Sequence, residues 1–379
     1  KRLRSNDAYT PEGKAGMRPD RATTVYTNIL KELFPDVPVV IGGIEASQRR
    51  LTHYDYWDDT LHPSILVDTK ADFLTYGMAE RAMVALAKGM QEGKKPEELQ
   101  QIPQIAYLSN DVNAPVDIEL ASHQACLASK KVQAQNFKIF EEESNRYQSD
   151  NRLGQVVGNQ KVIINPPYPI ISTPELDALY SLPYTRQPHP RYKGKTIPAY
   201  DMIKFSVTMH RGCFGGCSFC TISAHQGKFI ASRSEASILK EVELIAQDAQ
   251  FKGYISDLGG PSANMYQLHG KNIELCQKCK KPACLHPSIC KNLDTNHAPL
   301  IDLYRKVRAL PGIKKATIGS GIRYDLATPD YLKEVIEHHV SGRLKVAPEH
   351  TNSEVLNLMR KPSFDQFIAF EQLFRQFNQ

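Results

Sequence analysis

The stretch "RGCFGGCSFC" at residues 211–220 places Cys213, Cys217 and Cys220 on one short segment, with gaps of three and two residues. Glycines among them let the backbone curl inward around whatever the thiolates hold. A structural zinc site uses four protein ligands, usually in two close pairs, which this segment does not supply. A cubane iron–sulfur cluster has four iron corners, so three thiolates leave one corner open for a non-protein ligand. An open metal position is typical of a catalytic site. The alternative is three buried or zinc-binding cysteines.

The pattern around this segment is strand, loop, helix, repeated. Four short strand-like segments are predicted, at 203–209, 253–258, 315–322 and 343–349. Successive β–α units imply parallel strands with right-handed crossovers, in an open sheet or in a barrel. In both arrangements ligands bind at the carboxyl ends of the strands. The residues found at those ends are Cys213–Cys220, Gly259 with Gly260, Arg323, and Glu349. Because all four positions lie at the carboxyl ends of predicted parallel strands, we predict that they line one shared pocket.

The N-terminal part predicts a smaller open α/β layer. Apolar runs at 37–44 and 71–77 indicate strands, and 79–90 indicates a helix. Residues 117–149 indicate a long polar helix. Eight prolines within 165–200 indicate an extended connector.

The predicted organisation therefore has three parts. They are an N-terminal α/β domain over 1–150, a connector over 151–200, and a core over 201–379 with a cysteine-bearing insertion at 270–295. Because the sequence starts at Lys1 and stops in a helical pattern, we expect a piece of a longer protein, truncated at both ends.

Composition and charge bear on membrane association, nucleic-acid binding and the cellular compartment. No apolar run approaches the roughly 20 residues that a membrane span needs, so we expect no membrane association. The net charge of +6, from 47 basic and 41 acidic residues, comes without a dense basic stripe; nucleic acid therefore stays open as a partner without being indicated. Seven of the eight cysteines fall in two clusters in a chain without a secretion signal, which favours metal binding and a reducing, cytoplasmic setting.

The second cluster places four thiols within 15 residues, at Cys276, Cys279, Cys284 and Cys290. Four ligands suit a structural zinc, and they suit an auxiliary iron–sulfur cluster equally well. Thiolate softness does not decide between the two. Four unligated cysteines are the remaining alternative.

The C-x3-C-x2-C spacing, with Phe219 before the last cysteine, resembles the signature of radical S-adenosylmethionine (radical SAM) enzymes. The resemblance implies a 4Fe-4S cluster on Cys213, Cys217 and Cys220, whose open iron chelates the amino and carboxylate groups of SAM. It further implies that one electron cleaves the sulfonium C–S bond to give methionine and a 5′-deoxyadenosyl radical. An electron donor such as flavodoxin or ferredoxin would then be a partner. The cofactor carries the difficult chemistry and the protein orients it.

Other positions match the family less closely. Gly259, Gly260 and Pro261 are similar to the glycine motif that meets the SAM amino group, although Pro261 replaces its usual acidic residue. Arg323 is expected to form a two-pronged pair with the SAM carboxylate, or else to be an ordinary surface arginine. Glu349 is expected to accept from a ribose hydroxyl, or else to cap the following turn.

Within the superfamily, most of the chain resembles YgiQ-type proteins. The matching stretches are "DAYTPEGKAGMRPDRAT" (7–23), "IGGIEASQRRLTHYDYWDD" (41–59), "SILVDTKADFLTYG" (64–77), "RGCFGGCSFCTISAHQGK" (211–228), the cysteines of 276–293, "SGIRYDL" (320–326) and "KVAPEHT" (345–351). The resemblance implies a partial parallel (β/α) barrel preceded by the N-terminal layer. That layer is similar to cobalamin-binding-type domains. Because no Asp-x-His-x-x-Gly ligand motif is present, we do not expect cobalamin.

Three functions follow from these patterns. The first is a radical SAM enzyme acting on an unknown substrate. The second is a tRNA or protein methylthio- or methyltransferase of the same class. The third is a non-catalytic metal-binding interaction protein in which both cysteine clusters are structural. The sequence does not indicate the substrate.

Overall fold

A computed structural model describes residues 5–378, so residues 1–4 of the predicted N-terminal domain and residue 379 of the predicted core lie outside it. The N-terminal half contains eight strands: β1 Val40–Ile41, β2 His53–Asp55, β3 Thr60–His62, β4 Phe73–Thr75, β5 Ile105–Ser109, β6 Ile118–Leu120, β7 Leu153–Val157 and β8 Gln160–Ile164. It also contains eight helices: α1 Ala22–Leu33, α2 Gly43–Gln48, α3 Ile65–Thr69, α4 Glu80–Gln91, α5 Pro96–Leu99, α6 His123–Ala128, α7 Lys130–Ser144 and α8 Thr173–Tyr180.

Six of these strands form a mixed sheet in the order β1-β4-β5-β8-β7-β6. The pairs β1–β4 and β6–β7 are parallel, and the other neighbours are antiparallel. The strands predicted at 37–44 and 71–77 are present as β1 and β4, and the predicted helix at 79–90 is α4. The remaining two strands, β2 and β3, form a separate hairpin.

The prediction of one polar helix over 117–149 is wrong, because that range contains β6, α6 and α7. Ser129 accepts a hydrogen bond from Val132 N and starts α7, which separates the two helices. Buried Leu120 and Phe140 anchor the range to the core of the sheet.

The connector predicted from residue 151 is wrong in its first part. β7 and β8 pair as a tight hairpin around Gly158 and Asn159, with Val157 opposite Gln160. Gly158 has φ +61°, which such two-residue turns require. Because Val162 and Ile164 are buried between neighbouring elements, this hairpin belongs to the sheet. The wider division into domains stays a prediction.

The C-terminal half contains shorter strands: β9 Ser206–Thr208, β10 His210–Arg211, β11 Ala231–Ser232, β12 Tyr254–Ile255, β13 Asp257–Gly259 and β14 Lys315–Ala316. Its helices are α9 Pro198–Ile203, α10 Ile222–Gln226, α11 Glu235–Ala246, α12 Ile273–Gln277, α13 Ala298–Ala309, α14 Pro329–His338, α15 Ser353–Met359 and α16 Phe364–Phe377.

The predicted α/β class with parallel strands is confirmed. β9 pairs with β13, β12 pairs with β14, and Ile322 bridges to Val346, all in parallel. The strand predicted at 343–349 is reduced to that single bridge, and no closed barrel forms among residues 5–378. Apolar residues of β9, α11 and α13, such as Val207, Val242 and Leu303, form the core beneath these strands.

A membrane span requires a helix that is both long and apolar. None of the helices within residues 5–378 has both the length and the apolar character needed to cross a bilayer.

The imidazole of His210, at the start of β10, makes the fold sensitive to acid. Burial lowers the pKa of His210 from 6.5 to about 4. Between those values the unfolded chain binds a proton that the folded chain does not, so stability is lost as pH falls. We expect this group alone to reduce the free energy of unfolding by about 3 kcal/mol between pH 7 and pH 4, at 1.36 kcal/mol per pKa unit.

Urea unfolding at several pH values measures this slope. A His210→Phe variant should show a flatter dependence of the unfolding free energy on pH, whatever its absolute stability. The control is His350→Asn, which changes an exposed histidine. An unchanged slope in His210→Phe would contradict the assignment.

Candidate active site

The cysteine segment forms the loop between β10 and the short helix α10. Cys213, Cys217 and Cys220 are each partly buried, and Cys220 N donates to Cys217 O at 3.0 Å. Cys213 interacts electrostatically with both of the other thiols, so the three lie close together. The loop follows the β9 and β10 region at its carboxyl end, as the strand pattern predicts. Whether the three thiols bind a cluster stays a prediction.

Two glycines make room for the sulfur atoms. A Cβ built on Gly215 would lie 3.4 Å from Cys213 Sγ and 3.7 Å from Cys217 Sγ. Gly216 has φ +57°, and a Cβ there would lie 2.7 Å from Ala283 Cβ. A Cβ on Gly215 would touch both sulfurs at ordinary contact distance but would lie only 2.8 Å from Arg323 Nη1, and one on Gly216 would crowd the neighbouring segment. The loop therefore has the form of a cradle, which fits a group held by all three sulfurs.

Positive charge surrounds the loop. Arg323 Nη1 lies 3.9 Å from Cys217 Sγ, and the nearly buried Lys361 also interacts electrostatically with that sulfur. Burial raises the pKa of the Cys213 thiol to about 11, so without metal this thiol is protonated at neutral pH. Thiolates formed on metal binding would find cationic partners already in place.

Arg323 lies at the predicted edge, but its contacts differ from those expected. Its Nε and Nη2 donate to Asp325 Oδ1 and Oδ2 at 2.8 and 2.7 Å, so the two-pronged face already binds a carboxylate. The prediction of a two-pronged pair with SAM does not fit this arrangement. Only Nη1 turns toward the cysteine loop. Asn264, which is fully buried, fixes the Arg323 backbone with two hydrogen bonds of 2.9 Å.

The glycine segment Gly259–Pro261 begins at the last residue of β13 and lies at the same edge. A Cβ built on Gly260 would overlap the ring of His210, which places this segment against the strand that enters the cysteine loop. Asp257 accepts hydrogen bonds from Gly319 N at 2.8 Å and Ser320 N at 3.0 Å. The start of β13 and the segment after β14 are thereby tied together. The glycine backbone therefore lies against His210, three residues before Cys213, and its contact with SAM stays a prediction.

Glu349 follows the bridge at Val346 and has φ +70°. Its carboxylate lies 3.8 Å from Lys361 Nζ, and Lys361 in turn interacts with Cys217. The structure therefore brings Glu349 to the neighbourhood of the cysteine loop. Its expected contact with a ribose stays a prediction.

The four cysteines of the second cluster form an adjoining loop that begins in α12. Cys284 N donates to Phe214 O at 2.9 Å, so the two cysteine segments share a backbone hydrogen bond. Each of the other three thiols interacts electrostatically with Cys284. The structure thus places both clusters side by side, which their separation in sequence does not reveal.

Residues that connect the cysteine loops to each other's surroundings and to the N-terminal half were not identified from the sequence. Arg360 donates to Gly216 O at 3.2 Å and pairs with Glu141 of α7 at 2.9 Å, so it connects the cysteine loop to the N-terminal half. Lys228 is fully buried beside Cys279. Asp257 had a usable signal, because an acidic residue at a parallel strand end is a candidate for the site. Nothing in the sequence near Arg360 signals its long-range role.

A cavity of about 790 Å³ adjoins the loop on its N-terminal side. Thr221, directly after Cys220, lines it together with Glu45, Arg49 and Trp57. The last three belong to the stretch at 41–59, so a surface of the N-terminal half faces Thr221, the residue that follows the cysteine loop, across this space.

Two family models match the chain. "Radical SAM N-terminal" matches residues 1–206, and "Radical SAM superfamily" matches residues 207–378. The boundary at 206/207 lies at β9, close to the predicted start of the core.

Several curated relatives are named UPF0313 proteins, and their alignments with this chain include all of its residues or nearly all of them. The chain is 56% identical to one from Bacteroides thetaiotaomicron and 55% identical to one from Porphyromonas gingivalis, covering 100% of this chain and 65% and 62% of those proteins. It is 44% identical to one from Methanocella arvoryzae, covering 63% of that protein. The chain therefore spans less than two thirds of the length of these relatives.

Among solved structures, the fold is similar to that of TsrM from Kitasatospora setae, described as a radical S-adenosylmethionine methyltransferase. The TM-score is 0.50 at 15% identity, over 99% of this chain and 54% of TsrM. At this identity the likeness concerns the fold alone.

The likeness to TsrM corrects one expectation. The absence of an Asp-x-His-x-x-Gly motif led to the prediction that cobalamin is not a cofactor, and that prediction is wrong. TsrM, which shares the fold, is described with cobalamin and a [4Fe-4S] cluster bound. A chain without this motif lacks one side-chain ligand to cobalt. Other residues can still bind the corrin ring, so the missing motif does not exclude the cofactor.

Proposed function

The chain belongs to the radical SAM superfamily and, within it, to the UPF0313 family of YgiQ-type proteins, and on that premise we propose that it is an enzyme that cleaves S-adenosylmethionine reductively. The observation that carries the proposal is the cysteine loop. Cys213, Cys217 and Cys220 gather on a glycine cradle at the carboxyl end of parallel strands, beside Gly260 and Arg323.

In this proposal the three thiolates hold a [4Fe-4S] cluster. When bound, such a cluster would supply one electron to SAM, so that the sulfonium C–S bond would break to give methionine and a 5′-deoxyadenosyl radical. The chain contributes binding and orientation. Arg323 Nη1 and Lys361 balance the negative charge of the thiolates.

The backbone of Gly259–Pro261 is the proposed surface for the SAM amino group. Asp257 and Asn264, which lie on either side of this glycine segment in the chain, hydrogen-bond to the segment that carries Ser320 and Arg323. These bonds hold the two segments in fixed positions relative to each other. Two preformed hydrogen-bond sets of this kind hold a binding surface in one geometry before the ligand arrives.

The substrate is proposed to occupy the 790 Å³ cavity beside Thr221. Small-molecule sites commonly have volumes of roughly 300–1,000 Å³, so this cavity has the size of one. Trp57 and Tyr56 supply apolar and stacking surface, and Arg49 and Glu45 supply charge. This composition favours a polar substrate with a planar or apolar portion.

The test is a product assay on anaerobically reconstituted protein. With dithionite as the electron source, we expect 5′-deoxyadenosine and methionine in equal amounts, measured by chromatography and mass spectrometry. The control omits dithionite, which should abolish both products. A fully iron-loaded protein that forms neither product would contradict the proposal, and S-adenosylhomocysteine in their place would favour the methyltransferase alternative.

A further inference from the structure

We propose that Cys276, Cys279, Cys284 and Cys290 hold a second iron–sulfur cluster, not a zinc ion, and that the buried Lys228 is its cationic neighbour. This site is separate from the SAM-cleaving loop and does not depend on its activity. Three observations carry the proposal: the spread of the sulfur atoms, the burial of an ammonium group among them, and the fit of the surrounding backbone.

The spread of the sulfurs distinguishes the two metals. Around one zinc ion at Zn–S distances of about 2.3 Å, tetrahedral geometry places the sulfurs about 3.8 Å apart. Among residues 5–378, which include all eight cysteines, no three cysteine sulfurs lie within 4.8 Å of one another. In a cubane cluster each thiolate binds a different iron, so the sulfurs stand further apart.

The four thiols nevertheless form one group. Cys284 interacts electrostatically with each of the other three. Cys279 N donates to Cys276 O at 3.1 Å, and Cys290 N donates to Cys284 O at 2.8 Å, so short turns hold the segment. The four are thus close neighbours with a wider separation than one ion requires. Cys213, Cys217 and Cys220, whose spacing in sequence indicates a cluster, show the same spread.

Lys228 is the second observation. Its side chain is completely buried, and Nζ lies 3.6 Å from Cys279 Sγ while it also donates to Lys281 O. The ion pairs found within residues 5–378 give it no carboxylate partner. Burying an unpaired ammonium costs several kcal/mol. A thiolate-ligated metal site supplies the missing negative charge, and four neutral thiols do not, so Lys228 supports a ligated site while the spread of the sulfurs favours a cluster over zinc.

The backbone fit is the third observation. A Cβ on Gly270 would overlap Cys276 Sγ, so only glycine leaves space for that sulfur. Asn292 Nδ2 lies 3.3 Å from the same atom. Donors aimed at ligand sulfurs are a feature of iron–sulfur sites, where they tune the reduction potential.

One other group has the geometry of a metal site. Asp55, Asp58 and His62 have ligand atoms within 4.8 Å of one another. Arg21 pairs with both carboxylates, at 3.1 and 2.8 Å, so their charge is already balanced.

The first experiment isolates the second site. A Cys213→Ala/Cys217→Ala/Cys220→Ala variant, purified and reconstituted anaerobically, is analysed for iron, acid-labile sulfide and zinc, with circular dichroism to verify folding. We expect about four iron and four sulfide per chain, visible absorbance of a brown protein, and a paramagnetic signal after reduction. One zinc per chain without iron, or no metal at all, would overturn the proposal.

The reciprocal variant keeps this result separate from the proposed function. Cys276→Ser/Cys279→Ser/Cys284→Ser/Cys290→Ser should lose about four iron atoms per chain relative to the wild type. If SAM cleavage fails while the first variant still binds iron, only the enzymatic proposal falls. Should a variant misfold, electron paramagnetic resonance of the reduced wild-type protein decides the matter: two distinct clusters support the proposal, and one overturns it.

The second experiment tests Lys228. In the triple-alanine background, Lys228→Met removes the charge and keeps an unbranched side chain. We expect a more negative midpoint potential, because adding an electron beside a lost cation is harder. Lys278→Met, which changes an exposed lysine of the same loop, is the matched control and should leave the potential unchanged. An equal potential in the triple-alanine protein with and without Lys228→Met would contradict the role of Lys228.

Discussion

Replacing Cys217 with alanine is expected to abolish iron binding at the 213–220 loop and to reduce SAM cleavage by at least about a hundred-fold. Substitutions outside the ligand shell of metal sites already cost roughly 10- to 100-fold, so the loss of a ligand should cost at least as much. Two thiolates would remain, and they would leave two iron corners without a protein ligand. Iron content, sulfide content and 5′-deoxyadenosine formation measure the effect together.

The matched control is Cys126→Ala. Cys126 is buried in α6, away from both clusters, and its sulfur contacts Asn136 Nδ2 at 3.2 Å. Removing this thiol makes the same chemical change but should leave iron content and product formation unaltered. If Cys217→Ala retained full cluster content and activity, the assignment of the 213–220 loop would be wrong.

The proximity of the three cysteines could be inferred from the sequence because it is local. Three cysteines and three glycines lie within nine consecutive residues, so their proximity follows from the chain itself. The parallel arrangement was also predictable, since alternating strand and helix patterns admit few topologies. The positions of Gly260 and Arg323 beside the loop follow from that topology and not from their own neighbours in sequence.

What the sequence did not indicate depends on contacts between distant segments. The ion pair between Arg323 and Asp325 depends on the orientation of their side chains, which a sequence motif does not specify. Lys228 has no distinguishing pattern, and its burial beside Cys279 is visible only after folding. The β7–β8 hairpin was hidden by a different cause. Its signal is two apolar runs around Gly158–Asn159, and the proline-rich segment that follows directly gives the same region the pattern of a connector.

A more general point concerns absent motifs. A missing cobalamin motif and a missing acidic residue at Pro261 are equally negative observations. A motif's presence constrains geometry, because several residue types must agree at fixed spacing. Its absence constrains little, since many other side chains or backbone groups can hold the same ligand. This asymmetry explains why the prediction that cobalamin is absent, which rested on a missing motif, was wrong.

A Gly216→Ala substitution is expected to disturb both cysteine loops at once. Gly216 has φ +57°, and an added Cβ would lie 2.7 Å from both Ala283 Cβ and Pro282 O. The left-handed conformation costs a non-glycine residue about 1–2 kcal/mol, and overpacking adds about 1–3 kcal/mol. We expect the free energy of unfolding to fall by about 2–5 kcal/mol, with less iron at both sites, because Ala283 directly precedes Cys284.

Gly158→Ala separates the two causes. Gly158 has φ +61° in the β7–β8 turn, and nothing lies within 4 Å of a Cβ placed there. This variant carries the conformational strain without the clash, so it should lose only about 1–2 kcal/mol of stability and keep its iron. Denaturant unfolding and iron analysis of the two variants measure the difference. Equal losses of stability and unchanged iron in both would mean that the two loops are not in contact at Gly216. A larger loss in Gly216→Ala, with iron reduced at both sites, would instead mean that the two cysteine loops form one mechanical unit, in which the packing of the second segment sets the shape of the first.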